Sequence, residues 1–384
     1  MNILIVAWDF KPLGGGIAEY THYLAEYLSN SGNSVLIYAP RLQGDSEFDS
    51  SCNYKVIRYD FKEHMHHSKI YRLKNEFKTF KSIFCEYNID LVIGNSLCVN
   101  PYSYWLFAKI FKKPLAIFAH GRDIFEKIRG IDGLKRLLVL KNSDLVFCNT
   151  KCTQQRAITL GLRSERTFVA YPGIKAENFI IGNSKSESKV TKKFLLQDKK
   201  VIFSLGRLIE RKGQDTMIKA MSIIAHQVPE VIYLIGGDGG HEKVLRKLTK
   251  EYCVEDKVIF TGIVQENERQ AYYDACDIFA MINRKLDNGD AEAFGIVFLE
   301  ANACGKPVIG GLSGGVPEAI VDQKTGILVD PEDIESVADK VIFLLKNKEV
   351  AKKMGILARE RVEKEFDWGI LVPKIEAQLE RMIN

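Results

Sequence analysis

The chain has 384 residues, 46% apolar and 27% charged, a balance that fits two or three folded domains and excludes a disordered or low-complexity protein. No apolar run approaches the roughly 18–20 residues that span a bilayer, and residues 1–10 lack a basic lead-in and meet Asp9 early, so no signal peptide is expected. The net charge of +5 divides unequally: residues 1–180 hold 24 Lys/Arg against 17 Asp/Glu (+7), and the remainder 30 against 32 (−2). A basic first half suggests an anionic partner, with ordinary surface fluctuation as the alternative. Eight scattered cysteines, of which only Cys148 and Cys152 lie close together, read as reduced thiols of a cytosolic protein with no zinc-like quartet.

In chain order, residues 2–7 form a continuous apolar run, the pattern of a central parallel strand. A loop over 11–16 closes on Gly14-Gly15-Gly16, and a helix follows with Ile17, Tyr20, Leu24 and Leu28 at helical spacing until Gly32. Residues 35–39 are the next strand, completing a βαβ unit. Its three glycines do not match the G-x-G-x-x-G spacing, and no acidic residue follows the second strand at once, which argues against a dinucleotide-dependent oxidoreductase. Further strands are expected at 90–93, 115–119, 144–148 and 167–171. Between them, 69–84 reads as an amphipathic helix with Ile70, Leu73, Phe77, Phe80 and Phe84 inward and Lys69, Arg72, Lys74, Lys78 and Lys81 elsewhere. A solvated face is the plain reading; docking to anionic lipid is the sharper one.

The alternation fades over the Ser- and Lys-rich tract 182–200, the expected linker. A second alternating series has strands at 201–205, 231–235, 257–261, 277–282, 307–309 and 326–329. The repeated pattern implies an α/β protein of two Rossmann-like, doubly wound domains: 1–180, and 190–366. Residues 367–384 read as a final helix.

The chemistry concentrates in 290–320. Glu292 and Glu300 bracket seven mostly apolar residues, Gly295 stands where a loop turns into a helix, and Gly305 where that helix stops. A helix starting at Gly295 presents unpaired amides and the positive end of its dipole, a natural seat for phosphate. Carboxylates beside a phosphate are repulsive unless hydroxyls donate to them, and sugars carry hydroxyls. The competing reading is a buried crossover with incidental acids. Upstream, Ser204-Leu205-Gly206-Arg207-Leu208 and Glu210-Arg211-Lys212-Gly213 follow the first strand of the second series. The fork of Arg207 and the compact charge of Lys212 suit a diphosphate. Asp287 and Asp290 lie in a polar loop and read as turn residues, not as an Asp-x-Asp metal site.

The run Glu292-x7-Glu300, with Phe294-Gly295 after the first acid and Gly305-Lys306-Pro307-Val308 after the second, resembles retaining glycosyltransferases of family 4, which have the GT-B fold. Continued through Ser313-Gly314-Gly315-Val316-Pro317-Glu318, it is similar to bacterial mannosyltransferases that build phosphatidylinositol mannosides. The resemblance implies two domains facing across a cleft, an acceptor domain over 1–180 and a nucleotide-sugar domain over 190–366, with helix 367–384 crossing back to the first. It implies catalytic roles for His120, Arg207, Lys212 and Glu292. Donor contacts are implied for Gly15, Gly16, Gly206, Arg207, Lys212, Ile263, Glu292, Ala293, Phe294, Gly295, Ile296 and Glu300, and an acceptor contact for Arg122. By the same resemblance Glu292 is expected to hold sugar hydroxyls and Glu300 the ribose, and Gly236–Gly240 resembles the family's Gly-Asp-Gly turn. The expected co-substrate is a GDP- or UDP-linked sugar, with no other cofactor, no metal and no nucleic acid. The expected partners are a glycan or lipid-linked acceptor and, peripherally, an anionic membrane at the inner face of the cytoplasm's boundary. A sugar-nucleotide epimerase or hydrolase on the same fold, and a non-catalytic lipid- or sugar-binding scaffold, are the alternatives.

Overall fold

The computed structural model describes residues 1–60, 69–97, 101–125, 130–181 and 185–383. The chain forms two units, Met1–Gly173 with Trp368–Asn384, and Ile174–Asp367. Each is built on a parallel sheet buried on both faces, which explains the continuous apolar runs.

The first unit contains β1 (Asn2–Val6), β2 (Ser34–Pro40), β3 (Lys55–Tyr59), β4 (Leu91–Gly94), β5 (Leu115–Ala119), β6 (Leu145–Cys148) and β7 (Thr167–Val169), in the order β3-β2-β1-β4-β5-β6-β7. The order reverses between β1 and β4, so ligands are expected at the carboxyl ends there. β3 is not foreseen in the sequence reading. It is an edge strand, Lys-Val-Ile-Arg-Tyr, none of whose residues is fully buried, so it lacks the apolar run of its inner neighbours. The helix Lys69–Tyr87 covers one face. Phe80, Ile83 and Phe84 are buried, whereas Phe77, expected inward, is 40% exposed and Glu76 is buried instead. The side chains of residues 69–73 lie outside the described set. The last helix, Trp368–Ile383, joins this unit: Leu371, Val372, Ile375 and Leu379 are buried, and Trp368 meets the Tyr20 ring edge-on at 5.0 Å. Burying each such side chain contributes about 1.5–3 kcal/mol.

The second unit contains β8 (Lys200–Leu205), β9 (Val231–Gly236), β10 (Val258–Gly262), β11 (Ile278–Met281), β12 (Val308–Gly311) and β13 (Gly326–Val329), in the order β10-β9-β8-β11-β12-β13. Its reversal falls between β8 and β11. The tract expected as linker lies within this unit and carries the short helix Lys189–Phe194, capped by Ser188. Both chain passages at the unit boundary belong together: the Ile174 N–H bonds the Phe366 carbonyl at 3.0 Å, and Asp367 accepts from the Ala176 N–H at 3.0 Å.

Candidate active site

In the second unit the site grows from the ends of β8 and β11. After β8 the chain passes through Gly206 and Arg207 and makes a turn of 3-10 helix at Glu210–Lys212, ended by Gly213 in the left-handed region. Arg207 is exposed, and its guanidinium makes no hydrogen bond or ion pair with the described residues. The glycine turn after β9 abuts this loop: a Cβ on Gly237 would fall 2.0 Å from the Gly206 carbonyl oxygen. Two residues beyond β11, Asn283 is fully buried.

Glu292 gathers this set. Its Oε2 accepts from Lys212 Nζ at 2.5 Å, Arg211 Nη1 at 2.7 Å and Asn283 Nδ2 at 3.0 Å. Among the described residues Oε1 receives no such donor. Burial pushes this carboxyl upward, but the charges and hydrogen bonds of Lys212 and Arg211 together outweigh it and hold the group below the ordinary carboxylate value. Arg211 also reaches Asp290 Oδ2 at 3.2 Å. The backbone of Glu292 is fixed from the other side, because the Gly315 N–H donates to its carbonyl at 2.9 Å. That approach needs the glycines: a Cβ on Gly314, at φ +57°, would sit 2.2 Å from the same oxygen.

Gly295, at φ +91°, turns the chain into the helix Ile296–Ala303. Glu300 lies inside it and is held separately, Oε1 by Arg269 Nη1 at 2.8 Å and Oε2 by the Tyr273 hydroxyl at 2.7 Å. In these hydrogen bonds the two glutamates share no partner. Burial first, then the Glu300 charge, raises the Tyr273 phenol well above its ordinary value, so it remains a donor. Phe294 is buried, Ala293 partly exposed, and Ile263, just past β10, is 62% exposed.

In the first unit Gly15, at φ +137°, caps the helix Gly16–Asn30, and both glycines are exposed. His120 directly follows β5, is buried, and places Nε2 2.9 Å from Asn95 Oδ1, just past β4. Arg122 lies in the turn of helix Gly121–Phe125, and its side chain is outside the described set. Sequence reasoning assigned no role to Arg211, Asn283, Arg269, Tyr273 or Asn95. Asn283 and Asn95 could have been flagged as polar residues at strand ends beside a reversal of strand order; Arg269 and Tyr273 carry no local signal.

Residues 14–178 match the family described as Glycosyltransferase Family 4, and residues 185–361 match Glycosyl transferases group 1. The GDP-mannose-dependent alpha-(1-6)-phosphatidylinositol monomannoside mannosyltransferase of Mycobacterium tuberculosis is 29% identical, over 97% of this chain and 97% of its own. The monoacylated-substrate counterpart from Corynebacterium glutamicum is 29% identical over 96% and 95%. Among solved structures, HepE of Anabaena in complex with UDP and glucose superposes with a TM-score of 0.82 at 22% identity, covering 99% of this chain and 100% of that one, which shows the fold. With one family match on each unit and near full-length relatives, the chain belongs to the family-4, group-1 glycosyltransferases of GT-B fold.

Proposed function

We propose that this glycosyltransferase is a retaining, metal-independent enzyme that moves mannose from GDP-mannose to a lipid-linked glycan at the inner face of a membrane. The observation that carries the reading is Glu292: three donors fill one oxygen, the other meets none among the described residues, and the exposed Arg207 lies in the same loop after β8 that supplies Arg211 and Lys212. Oε1 accepts sugar hydroxyls, while Arg207, Lys212 and the amides following Gly295 stabilise charge growing on the leaving diphosphate. Glu300, with Ile263 beside the base and Gly206 beside the phosphates, binds the nucleoside. The departing phosphate takes the acceptor's proton on the same face of the sugar, so no side-chain base is required. Gly15, Gly16, His120 and Arg122 serve the sugar and acceptor. The names of the mycobacterial and corynebacterial relatives support the donor and the acceptor class.

Surface chemistry of the first unit supports membrane contact. Lys74, Lys78 and Lys81 are exposed on helix Lys69–Tyr87. The helix Gly130–Asn142 turns Ile131 (73% exposed) and Leu134 (63%) outward on one stripe with Leu138, beside Lys135 and Lys141. Each cation near an anionic surface is worth roughly 1 kcal/mol. No helix among the described residues is long and apolar enough to cross a membrane.

Thermal shift with GDP and UDP tests the donor, and product anomer analysis tests retention. Stabilisation by UDP alone replaces the donor; an inverted anomer overturns the mechanism. Cosedimentation with anionic but not zwitterionic vesicles, lost when Lys74, Lys78 and Lys81 are changed together to Glu, tests the membrane contact.

A further inference from the structure

β1, β4 and β5 are neighbours in the first sheet, and their carboxyl ends bring three polar groups together: Thr21 on the helix after β1, Asn95 after β4 and His120 after β5. Thr21 and Asn95 are fully buried and His120 nearly so. The hydrogen bonds among them have a forced direction. The Thr21 hydroxyl donates to the Ile17 carbonyl at 2.8 Å. A hydroxyl has one proton, so toward Asn95 the Thr21 oxygen can only accept. The Asn95 amide nitrogen donates to it, which fixes the orientation of the amide. Asn95 Oδ1 then faces His120 Nε2 at 2.9 Å, and a carbonyl oxygen can only accept. Nε2 therefore carries the ring proton, and in a neutral imidazole Nδ1 is left as a bare acceptor.

The surroundings keep the ring neutral. Burial pushes His120 down to about 4. The carboxylate of Asp123 is engaged beside the ring's own backbone: Oδ2 takes the His120 N–H at 2.9 Å, and Oδ1 takes the Leu97 N–H at 3.0 Å and the Ser96 hydroxyl at 3.5 Å. The Tyr20 ring lies edge-on to the imidazole at 5.3 Å, and burial keeps its phenol protonated.

We propose that Asn95 is a positioning residue: oriented by Thr21, it holds His120 in the Nε2–H tautomer, so that Nδ1 receives a hydrogen bond from a hydroxyl of the sugar ligand and never donates a proton to it. This rests on the assignment of His120 to the active site. The ligand class follows: His120 selects a free hydroxyl, and a phosphate, carbonyl or ether oxygen at that position meets a lone pair instead of a proton.

The test uses the full chain with nitrogen-15-labelled histidine. Ring shifts of His120 are expected to show an unprotonated Nδ1 and a protonated Nε2 from pH 5.5 to 8; a protonated Nδ1 in that range overturns the relay, whatever the enzyme's substrate. In Asn95→Asp the new carboxylate faces Nε2–H and draws a second proton onto the ring. Turnover of the nucleotide sugar used by the wild type is then expected to fall at least tenfold at pH 6 and to recover as pH rises. The same variant should keep wild-type thermal stabilisation by GDP or UDP, which separates the effect from misfolding. Asn95→Ala should show both tautomers in the ring shifts, with a smaller loss of kcat/KM. Wild-type turnover of Asn95→Asp at every pH, in the presence of the shifted ring signals, overturns the role of Nδ1 as a ligand contact.

Discussion

Arg211→Met is the most informative perturbation, because it removes one of two cations from a buried carboxylate without leaving that carboxylate alone. The loss is the bond from Arg211 Nη1 to Glu292 at 2.7 Å and the longer one to Asp290 at 3.2 Å. The Asp290 side chain is 47% exposed, so its pair contributes little after solvent screening. The Glu292 bond lies between side chains each 11% exposed, and a charged hydrogen bond there is worth about 1.5–3 kcal/mol. Because Lys212 remains, the expected loss is about 2 kcal/mol, below the 3–5 kcal/mol of fully orphaning a buried charge. For a unit the size of residues 174–367, that lowers Tm by about 4–8 °C. Donor binding should suffer as well. On the proposed role of Lys212 at the diphosphate, its release toward the donor needs Glu292 to keep another cation, so nucleotide Kd should rise about tenfold or more. The assay is thermal unfolding with and without GDP or UDP, followed by titration. Melting and Kd equal to wild type in Arg211→Met, with Lys212→Met impaired in both, would refute the reasoning. The pH dependence has a definite sign. The folded Glu292 carboxyl is depressed, so its stabilisation is present above the unfolded value and lost as pH falls through the folded one. Arg211→Met raises the folded value and moves that loss to higher pH.

Arg207→Ala should lower kcat about a hundredfold while changing donor Kd little, because leaving-group charge grows along the reaction; near-wild-type turnover at saturating donor would remove the residue from catalysis. Glu300→Ala should do the reverse, raising donor Kd about tenfold with a smaller change in kcat, since the ribose contact proposed for it would be made in ground and transition states alike. His120 titrates near 4 when folded, against an ordinary 6.5. Between these values the unfolded chain binds a proton that the folded chain does not, so stability of the first unit should fall by up to roughly 3 kcal/mol as pH drops from 6.5 toward 4; His120→Gln, melted across that window, should lose this dependence. Excess EDTA should leave turnover unchanged, and complete loss rescued by magnesium or manganese would reject the metal-free mechanism.

The sequence by itself determined the two series of strands. Strands of a parallel sheet buried on both faces must be apolar throughout, and that requirement is written locally, as in the runs that became β1, β5 and β8. The seven-residue interval between Glu292 and Glu300 with its flanking glycines was legible for a similar reason: a turn at φ +91° at Gly295 tolerates few residues but glycine. The edge strand β3 escaped because an edge needs no apolar run. The partners of the two glutamates escaped for a different reason. Arg211 and Asn283 reach Glu292, and Arg269 and Tyr273 reach Glu300, from sequence distances of 81, 9, 31 and 27 residues, and no local pattern specifies which cation meets which carboxylate. The same holds for Thr21, Asn95 and His120, which lie 74 and 25 residues apart in succession. Only the parallel register of β1, β4 and β5 sets their ends side by side. The hydrogen-bond directions that decide the proton's place on His120 therefore exist only in the folded sheet.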